Sequence, residues 1–201
     1  DILIHKGLDF LNSEGTIATG SLRRKAQWLN KYPTHSSVDL RGNVNTRMKK
    51  LEDSDWNGAI FAAAGLERIN LTPENSLDLD WMIPAPAQGA MLVVAMEDDT
   101  EMRDILKALN HKESEICVHM EREFLKILEG GCTAPIGALA TIEGNEISFK
   151  AALFSLDGKK QVSIERRIAL EDAPNFGKEC ALKVLNNGGR VLMEGIKEAL
   201  N

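Results

Sequence analysis

Three short stretches of the sequence concentrate side chains that can do chemistry. The first is LEGGCTAPIGA, residues 128–138, which sets Cys132 directly after two glycines and shortly before Pro135. Two consecutive glycines give up side-chain packing and the proline fixes a bend, so the pattern predicts a turn that presents a thiol. Such a cysteine can be a covalent anchor. It can also be a small buried hydrophobe, the common fate of an unpaired Cys. A third possibility is a hydrolase nucleophile, its thiol pKa of about 8.5 lowered by a histidine. The four histidines, His5, His35, His111 and His119, sit in no recognisable partner motif, which ranks the nucleophile last.

The other two stretches are TGSLRR and DLRGNVNTR, each readable as strand end, glycine turn and helix start. In the first, Gly20 allows a tight turn, Ser21 can cap the helix, and Arg23 and Arg24 fall in its first turn. The positive pole of the helix dipole lies there and disfavours cations by typically 0.3–1 kcal/mol. Two arginines set against the dipole predict a compensating anion held by backbone N–H groups and guanidinium forks, and no contribution of these arginines to folding. In the second, Arg41 ends a strand, Gly42 makes the turn, Asn43 caps, and Arg47 follows one helical turn later. Both clusters should project from the carboxyl edge of a sheet, where open α/β folds bind ligands. A carboxylate or phosphate is the expected ligand. No Gly-Lys-Ser/Thr follows a glycine-rich run, so the pattern is not a P-loop.

Charge is distributed to match. Residues 16–50 carry eight bases (Arg23, Arg24, Lys25, Lys31, Arg41, Arg47, Lys49, Lys50) against one acid, Asp39, a local +7 in a chain of net −6. A basic island in an acidic protein suits a local anion site better than general attraction to nucleic acid. The nearby aromatics, Trp28 and Tyr32, fall on a helix and not on a stacking sheet, and Trp28 reads as core. Lys25, Lys31, Lys49 and Lys50 read as solvated surface. The 201 residues, 43% hydrophobic and 27% charged, suit one large or two small cored domains. No apolar run approaches the roughly 20 residues that span a bilayer. Three cysteines, Cys117, Cys132 and Cys180, argue against a disulfide framework and for a reducing, cytoplasmic setting. Cys117-x-His119 lies in a helical stretch where i and i+2 face apart, and no Cys-x-x-Cys occurs, so metal binding is not expected. The start, DILIHKGLDFL, has neither initiator Met nor signal-peptide features, so the chain is expected to be part of something longer.

The elements that must position these residues alternate in the first half. GTIAT and SSVDLR read as strands, SLRRKAQWLNK and NVNTRMKKLED as helices, GAIFAAAGL as a buried strand passing into a short helix, and AMLVVAME as another apolar strand. Such runs suit a parallel sheet covered on both faces. Two helices follow, TEMRDILKALN and KESEICVHMEREFLKIL, the second with Ile116, Met120, Phe124 and Ile127 on one face. IGALATIE, EISFKAALFSL and QVSIERRIAL then read as three antiparallel strands joined at Gly144-Asn145 and Asp157-Gly158. Two helices around FGKECALKVLNN and VLMEGIKEAL close the chain, with Cys117 and Cys180 read as core. The expected class is α/β followed by a small α+β unit.

Five blocks in order, ATGSLRRKAQ, LRGNVNTR, IFAAAGLERI, IPAPAQGA and LEGGCTAPIGA, resemble the signatures of the porphobilinogen deaminases, also called hydroxymethylbilane synthases. The resemblance extends to both ends of the chain, and family members begin roughly a hundred residues earlier. It implies a periplasmic-binding-protein-like α/β domain at 1–88, a segment at 89–111 returning to a first domain, and an α+β C-terminal domain with a three-stranded antiparallel sheet at 112–201. It further implies that Cys132 carries a dipyrromethane cofactor through a thioether. This cofactor primes addition of four porphobilinogen units with loss of ammonia, and hydrolysis releases linear hydroxymethylbilane for haem and porphyrin biosynthesis. By the same resemblance, Ser21, Arg23, Arg24, Arg41 and Arg47 bind carboxylates of cofactor and substrate, with Thr19, Gly42 and Gln88 lining the cleft. The partners implied are porphobilinogen and the growing polypyrrole, with no nucleic acid or membrane, and the full-length protein is expected to be a monomer. The family's catalytic aspartate falls upstream of Asp1, so this chain alone is expected to be inactive. Two departures stand out: Thr19-Gly20-Ser21 where the family usually shows Thr-Ser-Ser, and Ala87 where a glycine usually precedes Gln88-Gly89, which stiffens that loop. A different class of protein, a non-enzymatic two-lobed module capturing small polyanions, explains the arginines but not the Gly-Gly-Cys turn.

Overall fold

The computed structural model describes residues 1–71, 73–129 and 134–200. The first half is built on a five-stranded sheet in the order β3-β2-β4-β1-β5, from β1 (Ile2–His5), β2 (Thr16–Ala18), β3 (Ser36–Val38), β4 (Gly58–Phe61) and β5 (Ser76–Asp78). Strands β3, β2 and β4 run parallel, whereas β1 is antiparallel to both β4 and β5. The sheet is therefore mixed and not wholly parallel. Helix α1 (Leu22–Lys31) follows β2, α2 (Val44–Glu52) follows β3 and the short α3 (Ala63–Glu67) follows β4. One face of the sheet packs Leu3, Ile17, Ile60 and Leu79 against Trp28 of α1, which is fully buried as expected. The other face packs Ile4, Ala18, Ala59 and Phe61 against Leu51 of α2 and Leu66 of α3.

AMLVVAME does not form the expected strand. Residues 91–96 have no regular structure, and Met91, Leu92, Val93, Val94 and Met96 are 60–85% exposed. An apolar β-branched run becomes a strand only where a neighbouring edge accepts its ladder of hydrogen bonds. No described strand does so here. Helix α4 (Thr100–Leu106), capped by Asp99, follows this segment and is likewise exposed.

The second half is a separate layer pair. Strands β6 (Ile136–Glu143), β7 (Glu146–Phe154) and β8 (Gln161–Ala169) form an antiparallel meander with Ile142 opposite Ile147 and Leu153 opposite Val162. Its two turns need residues with positive φ, and Gly144 and Gly158 supply them at +63° and +74°. Helices α5 (Lys112–Ile127) and α6 (Phe176–Val184) cover one face, burying Met120, Phe124, Ile147, Phe149, Leu153, Phe176 and Cys180 together. Phe149 meets Phe124 and Phe176 edge to face at 5.6 and 6.2 Å. Helix α7 (Arg190–Leu200) adds Met193 and Ile196 to this core beyond a kink at Asn187–Gly188. A Cβ at Gly177 of α6 would collide with the Met120 backbone carbonyl of α5. Gly177→Ala is therefore expected to cost about 1–3 kcal/mol by forcing the two helices apart, read as a lower urea midpoint at unchanged slope.

The halves meet through α1. Ala26 packs on Ala152 and Phe154 of β7 and on Ile83, and Asn30 Nδ2 donates to the Gly158 carbonyl at 2.7 Å. The end of β7 is buried on both faces for this reason. The segment 83–88 threads the same junction. Ala138 N of β6 donates to the Pro84 carbonyl at 3.0 Å, and a Cβ at Gly137 would strike Ile83.

Candidate anion site

Strands β2 and β3 run side by side with Ala18 opposite Val38, so both strand-to-helix turns leave the same sheet edge. At the first, Thr19 is buried, its N–H donates to the Val38 carbonyl at 3.0 Å and its Oγ1 accepts from Ser21 N at 3.2 Å. Ser21 caps α1 by accepting from Arg24 N at 3.4 Å. The glycine at position 20 has a local cause: a Cβ there would stand 2.6 Å from the Leu40 carbonyl of the neighbouring turn.

Arg23 and Arg24 leave this turn inward. Asp1 meets them with a fully buried carboxylate: Arg23 Nη1 lies 2.7 Å from Oδ2, Arg24 Nη2 lies 2.8 Å from Oδ1, and Arg24 Nε donates to Oδ1 at 3.0 Å. Gln88 closes the cluster, its Nε2 donating to Asp1 Oδ1 at 3.1 Å and its Oε1 accepting from Arg23 Nη2 at 2.9 Å. Arg23 Nη1 also donates to the Ile83 carbonyl at 2.8 Å, a carbonyl that Gln27 Nε2 shares. The anion that the dipole argument requires is thus present on the chain itself. That corrects the expectation that these arginines contribute nothing to folding, because each is held in a buried, charge-assisted network. Burial, with the nearby charge of Arg24, lowers Arg23 to about 9, and burial lowers Arg24 to about 10, so both remain cations at neutral pH. Arg23 Nε is buried without an acceptor among the described residues.

The second turn faces solvent. Gly42 holds φ +119°, Asn43 caps α2 by accepting from Thr46 N at 2.9 Å, and Arg47 Nε donates to the Gly42 carbonyl at 2.7 Å. Arg41 is 85% exposed and pairs with Asp39 at 2.6 Å, a surface pair worth about 0–1 kcal/mol. Among the described residues Arg47 forms no ion pair, so its outer N–H groups remain for a ligand. Lys50 donates to the Arg41 carbonyl at 3.0 Å from an exposed position.

Cys132 lies outside the described residues. The segments flanking it are α5, followed by the buried C-cap residue Leu128, and β6, which begins at the buried Ile136. The two other thiols are poor nucleophiles. Burial and the acids Glu121 and Glu113 raise Cys117, and burial raises Cys180 to about 11. The site contains two carboxylates that the sequence reading passed over. Asp1 is one. Glu121 of α5 is the other, 5% exposed and raised by burial, accepting from Ala87 N at 2.6 Å and from Ala140 N at 2.8 Å. Ala87 holds φ +62°, which a glycine adopts freely and other residues adopt at a cost of about 1–2 kcal/mol, the physical reason a glycine suits this position.

Residues 1–104 match the family described as "Porphobilinogen deaminase, dipyromethane cofactor binding domain", and residues 115–186 match "Porphobilinogen deaminase, C-terminal domain". Curated proteins named porphobilinogen deaminase are similar along the chain. The one from Chloroherpeton thalassium is 40% identical over 190 residues, covering 90% of this chain and 60% of that protein. Those from Desulforamulus reducens and Carboxydothermus hydrogenoformans are 38% and 36% identical, covering 98% of this chain and 65% and 64% of theirs. The chain therefore spans less than two thirds of these relatives' length. With matches to two successive domains of one enzyme and the arginine turns of its sequence pattern folded onto one sheet edge, the chain belongs to the porphobilinogen deaminase family.

Proposed function

We propose that this chain supplies the cofactor- and substrate-carboxylate-binding part of a porphobilinogen deaminase, with residues 1–88 as the binding domain, 89–111 as the segment returning to a first domain and 112–201 as the domain carrying Cys132. The observation that carries this reading is the pair of parallel strands β2 and β3, whose carboxyl ends display Arg41 and Arg47 beside the buried Arg23–Arg24–Gln88 cluster. A dipyrromethane fits the donor set. Each pyrrole bears an acetate and a propionate, and the turns offer exposed guanidiniums, the hydroxyl of Ser21 and the orphaned Arg23 Nε. Thioether-bound at Cys132, such a group would supply the nucleophilic pyrrole carbon for the first of four condensations, each at the terminal pyrrole, in which a carbon–carbon bond replaces the aminomethyl carbon–nitrogen bond of porphobilinogen and the displaced pyrrole hydrogen leaves with the nitrogen as ammonia.

The chain's own residues have simpler tasks. Arg41 and Arg47 neutralise the carboxylates of a lengthening, densely anionic chain, and a guanidinium fork holds each with directional hydrogen bonds that an ammonium lacks. Thr19 and Gly42 shape the two turns, and Gln88 fixes Arg23 relative to Asp1. The exposed apolar segment 91–96 supports the reading of 89–111 as chain that pairs elsewhere. No described helix is long and apolar enough to cross a membrane. We place the full enzyme in the cytoplasm as a monomer.

A version extended upstream to the length of its relatives tests the function directly. Incubated with porphobilinogen, it is expected to release ammonia and to carry a two-pyrrole adduct. Absence of both overturns the assignment. Arg47→Gln and Arg41→Gln should each weaken porphobilinogen incorporation about ten- to a hundredfold, the loss of one charge-assisted contact of about 1.5–3 kcal/mol. Lys50→Gln, on the same surface, should leave it within twofold.

A further inference from the structure

The cluster around Asp1 is held from the other half of the molecule. Gln88 reaches Arg23 and Asp1 from a turn in which the preceding residue, Ala87, adopts the left-handed region at φ +62°. A residue with a Cβ rests there at a cost; the Gln88 N–H donates to the Ala85 carbonyl at 2.9 Å across the turn, and a further contact from outside it holds Ala87 itself. Its N–H donates at 2.6 Å to Oε2 of Glu121, and the other oxygen of that carboxylate accepts from Ala140 N of β6 at 2.8 Å. Glu121 is 5% exposed, and no cation pairs with it among the described residues. A carboxylate buried without a counter-charge is unfavourable, and a leucine or methionine on this face of α5 would pack without that penalty. What the carboxylate does that they cannot is accept two backbone N–H groups from two different segments at once.

We propose that Glu121 is a positioning residue: it clamps Ala87 in its left-handed conformation and thereby aims Gln88 at Arg23 and Asp1. The domain carrying Cys132 thus sets the arginine cluster of the other domain. A consequence for turnover rests on the deaminase reading; the clamp itself does not.

Glu121→Gln is the test, because it keeps the shape and replaces one accepting oxygen by an NH2 group that cannot accept from an N–H. In the unmodified 201-residue chain, the Ala87 amide, which lies in no helix or strand, should exchange with solvent as slowly as that of Ala140, within tenfold. Rapid exchange at Ala87 overturns the clamp without any variant. In Glu121→Gln, exchange at Ala87 or Ala140 should accelerate at least tenfold while Phe149 in β7 is unchanged, and the Gln88 side-chain amide signals should shift and broaden. Adding Ala87→Gly should restore the Gln88 signals, since glycine needs no clamp. A purely structural carboxylate predicts no such rescue, and its absence overturns the positioning role. In the upstream-extended enzyme the same pair of variants should lower and then recover porphobilinogen incorporation. If the parent incorporates none, the deaminase reading fails while the exchange and Gln88 results still decide the clamp.

Discussion

Arg23→Gln is expected to lower the free energy of unfolding by about 3–5 kcal/mol, the loss typical when one partner of a buried ion pair is removed. The side chain of Arg23 is 5% exposed and that of Asp1 is fully buried. Taking away the guanidinium leaves Asp1 with Arg24 and Gln88 alone, strips the Gln88 Oε1 of its donor, and removes one of the two donors to the Ile83 carbonyl. A chain of this size should then melt roughly 6–20 °C lower, at about 2–4 °C per kcal/mol. Asp1→Asn should behave similarly, because it leaves two adjacent guanidiniums buried with one neutral oxygen between them. The double variant Asp1→Asn/Arg23→Gln should cost less than the sum of the two, since each single change already breaks the shared contact. Urea unfolding of the three variants measures this. Midpoints within a few tenths molar of the parent, or strictly additive losses, would show that the pair is not a structural unit. Arg41→Gln makes the contrast, with a change of at most about 0.5 kcal/mol expected at an exposed position.

The pair shows where reading the sequence succeeds and stops. Features determined within a few residues were legible: Ser21 and Asn43 as caps, α1 and α2 from their periodicity, and three strands from hairpin turns at Gly144 and Gly158. Trp28 was legible as core for the same reason. The Asp1–Arg23 contact spans 22 positions and Gln88–Asp1 spans 87, and neither leaves a local trace. The dipole argument at α1 demanded an anion and read it as a bound ligand; the carboxylate that meets the two guanidiniums in the fold is Asp1, which no local pattern announces. Glu121 carries a faint signal, a lone acid beside Met120 and four residues past Cys117 on a largely apolar face. Strand β1 was missed because ILIH is too short for periodicity to separate it from loop, and its antiparallel entry makes the sheet mixed. AMLVVAME was misread for the opposite reason. Its composition is that of a strand, but strand formation depends on an edge to pair with, which composition does not contain.

Cys132→Ser should separate binding from chemistry most sharply. In a version extended upstream, the parent is expected to gain the mass of a two-pyrrole adduct on the peptide containing Cys132, and the variant to gain none and to lose essentially all ammonia release. Folding should survive, because the core on either side is closed by Leu128 and Ile136, and a hydroxyl replaces a thiol of nearly the same size. The other two cysteines are the controls. Cys117 and Cys180 have thiols raised by burial, so at neutral pH they are protonated and unreactive. Cys180→Ser should cost about 1–3 kcal/mol by placing an unsatisfied hydroxyl among Phe149, Phe176 and Val184, yet keep the adduct. Cys117→Ser, half-buried, should cost less and also keep it. Peptide mapping after exposure to porphobilinogen decides between anchor and bystander. An adduct that persists in Cys132→Ser, or that maps to Cys117 or Cys180, overturns Cys132 as the anchor. A folded Cys132→Ser protein that still binds porphobilinogen but forms no adduct shows that the arginine turns bind carboxylates independently of the covalent attachment.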